Sequence, residues 1–447
     1  MRPSLRRSLT SSIFLASLPA LAALGCSSSA SPASSSSTGT VVATTATRDL
    51  SPKVGSGDET TLVAGNTDFA FSLYHGLSTA PGGSTTGNLF YSPYSVSLAL
   101  AMTYNGAHGA TATQIAAAMG FTQELATLNP AFDKLDLAIE TVPANATGAD
   151  GAPFAINLAD SLWGDQTVTF SPTFVSTLAT DYGASLRTVD FVHQPTEAEA
   201  SINAWVASKT NDKIDPLLGK DAITSATRFV IVNAVYFDAA WQTQFDKKQT
   251  TTGTFTRADD TTVQAPRMSS SDAATAYMKG SNYQAVELPY VGNTTSMIIV
   301  LPDTGAYAAV EAGLSGKLMD DVTSGLSGGY GIQLQMPSFK IHGGTVSLVP
   351  ELKALGMTDA FDPSTADFTA MIPAGGIFIG DVLHQAFVDV DESGTEAAAA
   401  TAVIGVGTAA PSKQVTVTVD HSFFFFIRDV ASNSILFVGR EDDPTAQ

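Results

Sequence analysis

The run Asp391-Glu392-Ser393-Gly394-Thr395-Glu396-Ala397-Ala398-Ala399-Ala400-Thr401 constrains this chain more than any other stretch. It follows the apolar-alternating segment Ala386-Phe387-Val388-Asp389-Val390. Alternate residues of a strand share a face. Thr395, Ala397, Ala399, Thr401, Val403 and Gly405 fall on one parity, and all are small or β-branched. Such a face fits a crowded sheet. Four consecutive alanines with flanking glycines also suit an exposed loop. Between Ala397 and Ala410 there is no proline and no charge, so nothing in the composition blocks entry into a sheet. A segment compatible with both states is a candidate switch.

The rest of the sequence supplies a body large enough to hold such a switch. Of 447 residues, 44% are hydrophobic and only 14% charged, which allows a sizeable core. Helical spacing is found at Asp68 to Leu77, Ser95 to Tyr104, Thr111 to Met119 (ended by Gly120) and Glu197 to Thr210. Strand character is found at Arg228 to Phe237, Met297 to Leu301, Ile332 to Met336 and Val415 to Val419. Helices interleave with strands without a regular βαβ repeat. That predicts an α+β fold with a mixed or antiparallel sheet. Four consecutive aromatics, Phe423 to Phe426, predict a central buried strand.

The N-terminus reads as a targeting segment. Arg2, Arg6 and Arg7 precede an apolar stretch, Ile13 to Leu24, too short to span a bilayer as a mature helix. Ala23-Leu24-Gly25-Cys26 resembles a bacterial lipoprotein cleavage box, with Cys26 as the lipidated first residue. Cys26 is the single cysteine, so no intrachain disulfide is available. The expected division is a signal peptide at 1–25, a flexible Ser/Thr-rich tether at 26–65 and a folded domain at 66–447. The expected location is the cell envelope or the exterior. Removing Arg2, Arg6 and Arg7 takes the 22 basic residues to 19 against 42 acidic ones, and the net charge from −20 to −23. A chain this acidic is repelled by nucleic-acid backbones, so no nucleic-acid partner is expected.

Several motifs point elsewhere and fail on context. Gly405-Val406-Gly407-Thr408-Ala409-Ala410 fits G-x-G-x-x-A, but Pro411 and a strand follow it where a helix is needed. Gly325-Leu326-Ser327-Gly328-Gly329 fits G-x-S-x-G, but a helix precedes it and a strand follows, the reverse of a nucleophile elbow. The six histidines are scattered, and none has metal-ligand spacing. Neither a cofactor, a metal nor catalytic residues are expected.

Glu392 to Thr401 resembles the proximal hinge of the serpin reactive-centre loop. Other motifs follow in the family's order. Asn88 to Val96 resembles its early strand-to-helix junction, Phe229 to Phe237 with Trp241 its central strand, Val417 to Asp429 its C-terminal signature, and Ile435 to Arg440 its last strand. The resemblance implies one domain with a large central sheet, additional sheets, about eight or nine helices and an exposed loop at about 392–414. It implies a monomer that inhibits serine proteases once, through a covalent 1:1 complex. The hinge would be Glu392, Gly394, Thr395, Glu396, Ala397, Ala398, Ala399, Ala400 and Thr401. His384 would bond Asn233 near Ser92 and Ser95 as a latch on the main sheet, with Trp241 where the loop enters. Counting from the hinge places the scissile bond at Thr408-Ala409. Counting back from the C-terminal signature places it near Pro411-Ser412. Val406-Gly407, Gly407-Thr408 and Ala409-Ala410 remain open. Small residues there favour elastase-like or subtilisin-like targets. The alternative is a non-inhibitory binding protein of the same fold on the cell envelope, attached to the membrane if Cys26 is lipidated.

Overall fold

The computed structural model describes residues 38–79, 87–145, 155–395 and 413–446. Nine α-helices and three sheets, of eight, six and four strands, are formed among them. The signal segment, Cys26, the hinge residues Glu396 to Thr401 and the bond Thr408-Ala409 lie outside the described residues.

The long strand Phe229–Ala240 runs through the middle of the eight-stranded sheet. It pairs antiparallel with Ala155–Asp165 on one side and parallel with Asp381–Val390 on the other. The sheet is mixed, as expected. Its apolar run has no polar parity because both faces are covered. Ile231, Val235, Phe237 and Ala239 join the main core, while Val230, Val232 and Ala234 pack in a second cluster with Trp163, Ile202, Trp205 and Val206. Trp205 and Val206 belong to helix Pro195–Lys209, which lies over that second face.

Local chemistry sets the helix ends. Ser92 caps helix Pro93–Tyr104 by accepting from the Ser95 amide, and Pro93 occupies the first turn, where its missing N–H costs nothing. Gly120 closes helix Gly109–Met119 in the left-handed conformation, φ 69°. Strand Phe423–Asp429 sits between Thr295–Pro302 and Ile435–Glu441 in the six-stranded sheet, with all four phenylalanines at 0% exposure.

Two sequence boundaries are corrected. The stretch 38–65 is not a free tether. Thr40–Val41 forms an edge strand of the main sheet against Leu186–Val189, and helix Asp58–Thr79 begins eight residues before the expected domain start, with Leu62 and Val63 buried. The sparse apolar residues of this stretch hid its role, because it is held largely by backbone pairing and one arginine. At the other end, Lys413 and Gln414, placed in the loop by the sequence, already belong to strand Lys413–Thr418, which pairs parallel with Tyr330–Pro337.

Candidate functional site: a partly entered sheet and its polar latch

Strands Phe229–Ala240 and Asp381–Val390 pair directly from Val230↔Asp381 to Tyr236↔Phe387. Beyond that point they diverge. The chain leaves Val390, turns through Asp391 to Gly394, and returns between them as the two-residue strand Gly394–Thr395. Thr395 pairs with Val390 on one side and Ala239 on the other. The main sheet therefore already holds the first two residues of a new central strand.

Several contacts hold this wedge. The Asp391 carboxylate accepts from the Ser393 amide at 2.6 Å and the Gly394 amide at 3.2 Å. The Thr250 hydroxyl donates to Glu392 at 2.5 Å. The Trp241 indole N–H donates to the Asp391 carbonyl at 3.0 Å, and the ring stacks on Tyr290 at 4.6 Å. Thr395 is fully buried, and its hydroxyl shares a 2.8 Å hydrogen bond with the Tyr290 hydroxyl. The slot fits glycine at 394 because of crowding. A Cβ there would lie 2.2 Å from the Ala239 carbonyl oxygen and 2.6 Å from Ala240 Cα. Backbone atoms cannot swing aside as a side chain can. Gly394→Ala is thus expected to expel the wedge and destabilise the intact protein by about 2 kcal/mol, read as a lower melting temperature. An unchanged melting temperature would show that this slot tolerates the methyl group.

Further down the sheet lies a buried polar cluster. The Ser92 amide donates to His384 Nε2 at 3.2 Å, so Nε2 is an acceptor and the ring proton sits on Nδ1, which donates to the Asn233 side-chain oxygen. The Asn233 amide donates to Ser95 Oγ and to Asp160, each at 2.5 Å, and Ser95 donates to Asp160 at 2.6 Å. Asn233 and His384 stand opposite each other on the two strands that must part. Their bond is the only side-chain bond in this cluster that crosses that seam among the described residues.

Ser92, Ser95, Asn233 and His384 are thus brought together. Trp241 is not with them. It stands eight residues beyond Asn233, just past the end of strand Phe229–Ala240 and about 27 Å away at the usual rise, and belongs to the wedge. The sequence missed Asp160, Tyr290, Asp391 and Thr250. Asp160 did leave a signal, as an acidic residue within the apolar strand Ala155–Asp165. Burial pushes its carboxyl well above the usual carboxylate range, against the pull of the Ser95 and Asn233 donors. One Asp160 oxygen and the Ser393 hydroxyl are buried without a hydrogen-bond partner among the described residues. Unpaired buried polar atoms are costly, and here one lies at the latch and one at the wedge.

Burial lowers the His384 pKa to about 4, from an ordinary value of 6.5. The native state therefore holds a neutral ring where the unfolded chain takes up a proton. This contribution is fully present above pH 6.5 and is lost as pH falls towards 4, by about 3 kcal/mol. Asp136 has the opposite sign, because burial raises it to about 7, so its share grows on acidification. His384→Gln is expected to flatten the loss of melting temperature between pH 7 and pH 5. An unchanged slope would exclude His384 as the group responsible.

Comparison with known proteins places this arrangement. The profile of the family described as Serpin (serine protease inhibitor) matches residues 64–444. The chain is 35% identical over 391 residues to the leukocyte elastase inhibitor of Homo sapiens, covering 86% of this chain and 99% of that protein. It is 34% identical over 385 residues to that of Xenopus laevis, covering 85% and 98%. Among solved structures, a thermophilic serpin, tengpin, in the native state is similar at a TM-score of 0.76 and 28% identity, covering 89% of this chain and 97% of that one. Human thyroxine-binding globulin complexed with thyroxine is similar at 0.76 and 26%, covering 87% and 100%. These similar structures share the fold built on the large mixed sheet. The chain belongs to the serpin family.

Proposed function

We propose that this protein inhibits serine proteases by a single-use covalent trap. The observation that carries this reading is Thr395, seated between the two strands at the head of a parity that stays small through Gly405. The protease serine attacks the carbonyl carbon of Thr408. The Thr408-Ala409 bond breaks, the Ala409 amine leaves with the proton, and Thr408 stays esterified to the enzyme. Cleavage frees the segment after Thr395 from its far attachment. Insertion continues from the wedge, parting His384 from Asn233 and carrying the esterified enzyme along the sheet before water completes hydrolysis. New backbone pairing on both sides of the inserted strand drives the motion, with burial of its small inward face. The relatives named for leukocyte elastase inhibition and the small residues around Thr408 support an elastase-like or subtilisin-like target.

The test is a denaturing gel of the domain mixed with an elastase-type protease. A band at the summed mass is expected. Complete cleavage without that band would favour a non-inhibitory binding role. Such a role has a structural precedent in the thyroxine complex of a similar fold. We further propose that Cys26 is lipidated and anchors a monomeric domain to the cell envelope. Intact-mass measurement should show the processed, acylated N-terminus, and an unmodified one would remove the anchor.

A further inference from the structure

The register of the wedge fixes what each later residue of the loop would meet in the sheet. Thr395 lies opposite Ala239 on one neighbour and opposite Val390 on the other, antiparallel to both. Each step forward along an entering strand is therefore one step back along each neighbour. The direct pairing of the neighbours carries the same count. Tyr236 lies opposite Phe387, and both would flank residue 398. Glu396 then falls between Asp238 and Asp389. On strand Phe339–His342, Lys340 lies opposite Asp389, and on the far side of Asp238 the partner residue is Ala155. Entry by one more residue thus sets three carboxylates abreast, on adjacent strands and on one face of the sheet. Adjacent strands are about 4.8 Å apart, and like charges directly opposite each other are destabilising.

The cations near this row are too few to match it. Lys340 is ion-paired with Asp389. Lys213 belongs to the segment after helix Pro195–Lys209, and its ammonium lies 6.0 Å from the Tyr236 ring centre and 5.8 Å from that of Phe387, one row away. Two ammonium groups would serve three carboxylates. His342 packs edge-on against Phe387 at 4.3 Å, and burial holds its pKa below the ordinary 6.5. The Tyr236 hydroxyl donates to Asp238 at 3.3 Å. Burial already raises the Asp238 carboxyl to about 6, against the Tyr236 bond and the Lys213 charge. A second carboxylate alongside raises it further.

We propose that Asp238 and Asp389 form a charge barrier to the residue after Thr395, so that entry of the loop into the main sheet is promoted by acid. This inference deepens the inhibitory reading and rests on it. Protonation of Asp238 or Glu396 turns a repelling pair into one that shares a proton. The inserted form holds these carboxyls at higher pKa than the uninserted form, so it binds more protons. Its advantage is full below pH 6 and shrinks as pH rises through the value that Asp238 takes beside Glu396.

The test is the melting-temperature gap between loop-cut and intact protein from pH 8 to pH 5, after cutting with a metalloprotease at neutral pH. The parent gap is expected to widen by about 3 °C on acidification. Asp238→Asn and Glu396→Gln should each widen the gap at pH 8 and remove most of its pH dependence. Their effects should be non-additive in the cut form and additive in the intact form, which isolates this pair from His342 and His384. Glu396→Lys should widen the gap at pH 8 still more and make it narrow on acidification. A gap equally wide at pH 5 and pH 8, or additive effects in the cut form, overturns the barrier and leaves the trap standing. The absence of any gap at every pH, in parent and variants alike, overturns both.

Discussion

Thr395→Arg is expected to be cut by the target protease and released, with no covalent band and an inhibitory stoichiometry worsened by at least a hundredfold. Thr395 is fully buried between Ala239 and Val390, and its hydroxyl is satisfied by Tyr290. A guanidinium at this position would replace a hydroxyl bonded to Tyr290 in a fully buried slot. Burying it unpaired costs several kcal/mol. Trapping is a race between insertion and hydrolysis of the ester, and each 1.4 kcal/mol added to the insertion barrier shifts the race about tenfold. Two such increments already turn an inhibitor into a substrate. Trapping at parental stoichiometry by this variant would show that the first inserting position does not govern the outcome, and the mechanism would need another origin.

The second large effect is thermal. Cutting the loop with a metalloprotease, which forms no acyl-enzyme, isolates insertion from trapping. The cleaved protein is expected to melt about 10 °C or more above the intact one. Roughly ten inserted residues, each adding net backbone pairing of about 0.5–1 kcal/mol, give on the order of 5–10 kcal/mol. A gain of 1 kcal/mol moves the melting temperature of a domain of this size by about 2 °C or somewhat less. The Ser393 hydroxyl and one Asp160 oxygen, without a hydrogen-bond partner among the described residues, are further candidates for relief when the seam rearranges. Calorimetry of nicked and intact protein reads the difference directly. Coincident transitions would mean that the intact form stores no recoverable free energy.

How much of this was legible beforehand follows the range of the signals. The hinge was readable because a face of Thr395, Ala397, Ala399 and Thr401 is a local pattern whose meaning does not depend on its partners. The buried strands were readable for the same reason, since an uninterrupted run such as Phe229 to Phe237 needs cover on both faces. The seating of residues 38–49 was not readable. It depends on one arginine, Arg48, whose three acidic partners stand 85, 88 and 92 residues away. No window along the sequence contains both sides of that contact. Tyr290 escaped notice likewise, because its role appears only when Trp241 and Thr395 converge on it from distant segments. Trp241 stands where the resemblance implies, at the point of loop entry, bonded to the Asp391 carbonyl. The already seated Gly394–Thr395 pair was not foreseen either, because composition reports that a segment is able to enter a sheet, not how far it has gone.

The six-stranded sheet imposes an order on biosynthesis. Its strand Leu89–Tyr91 pairs with Ile435–Glu441, and Phe423–Asp429 fills the centre, so an early strand and the two last strands of the polypeptide close the same layer. That layer stays incomplete until nearly the whole chain has emerged from the ribosome. Contacts this distant in sequence form slowly. A nascent chain that cannot finish its interior early keeps apolar strand surface uncovered for longer.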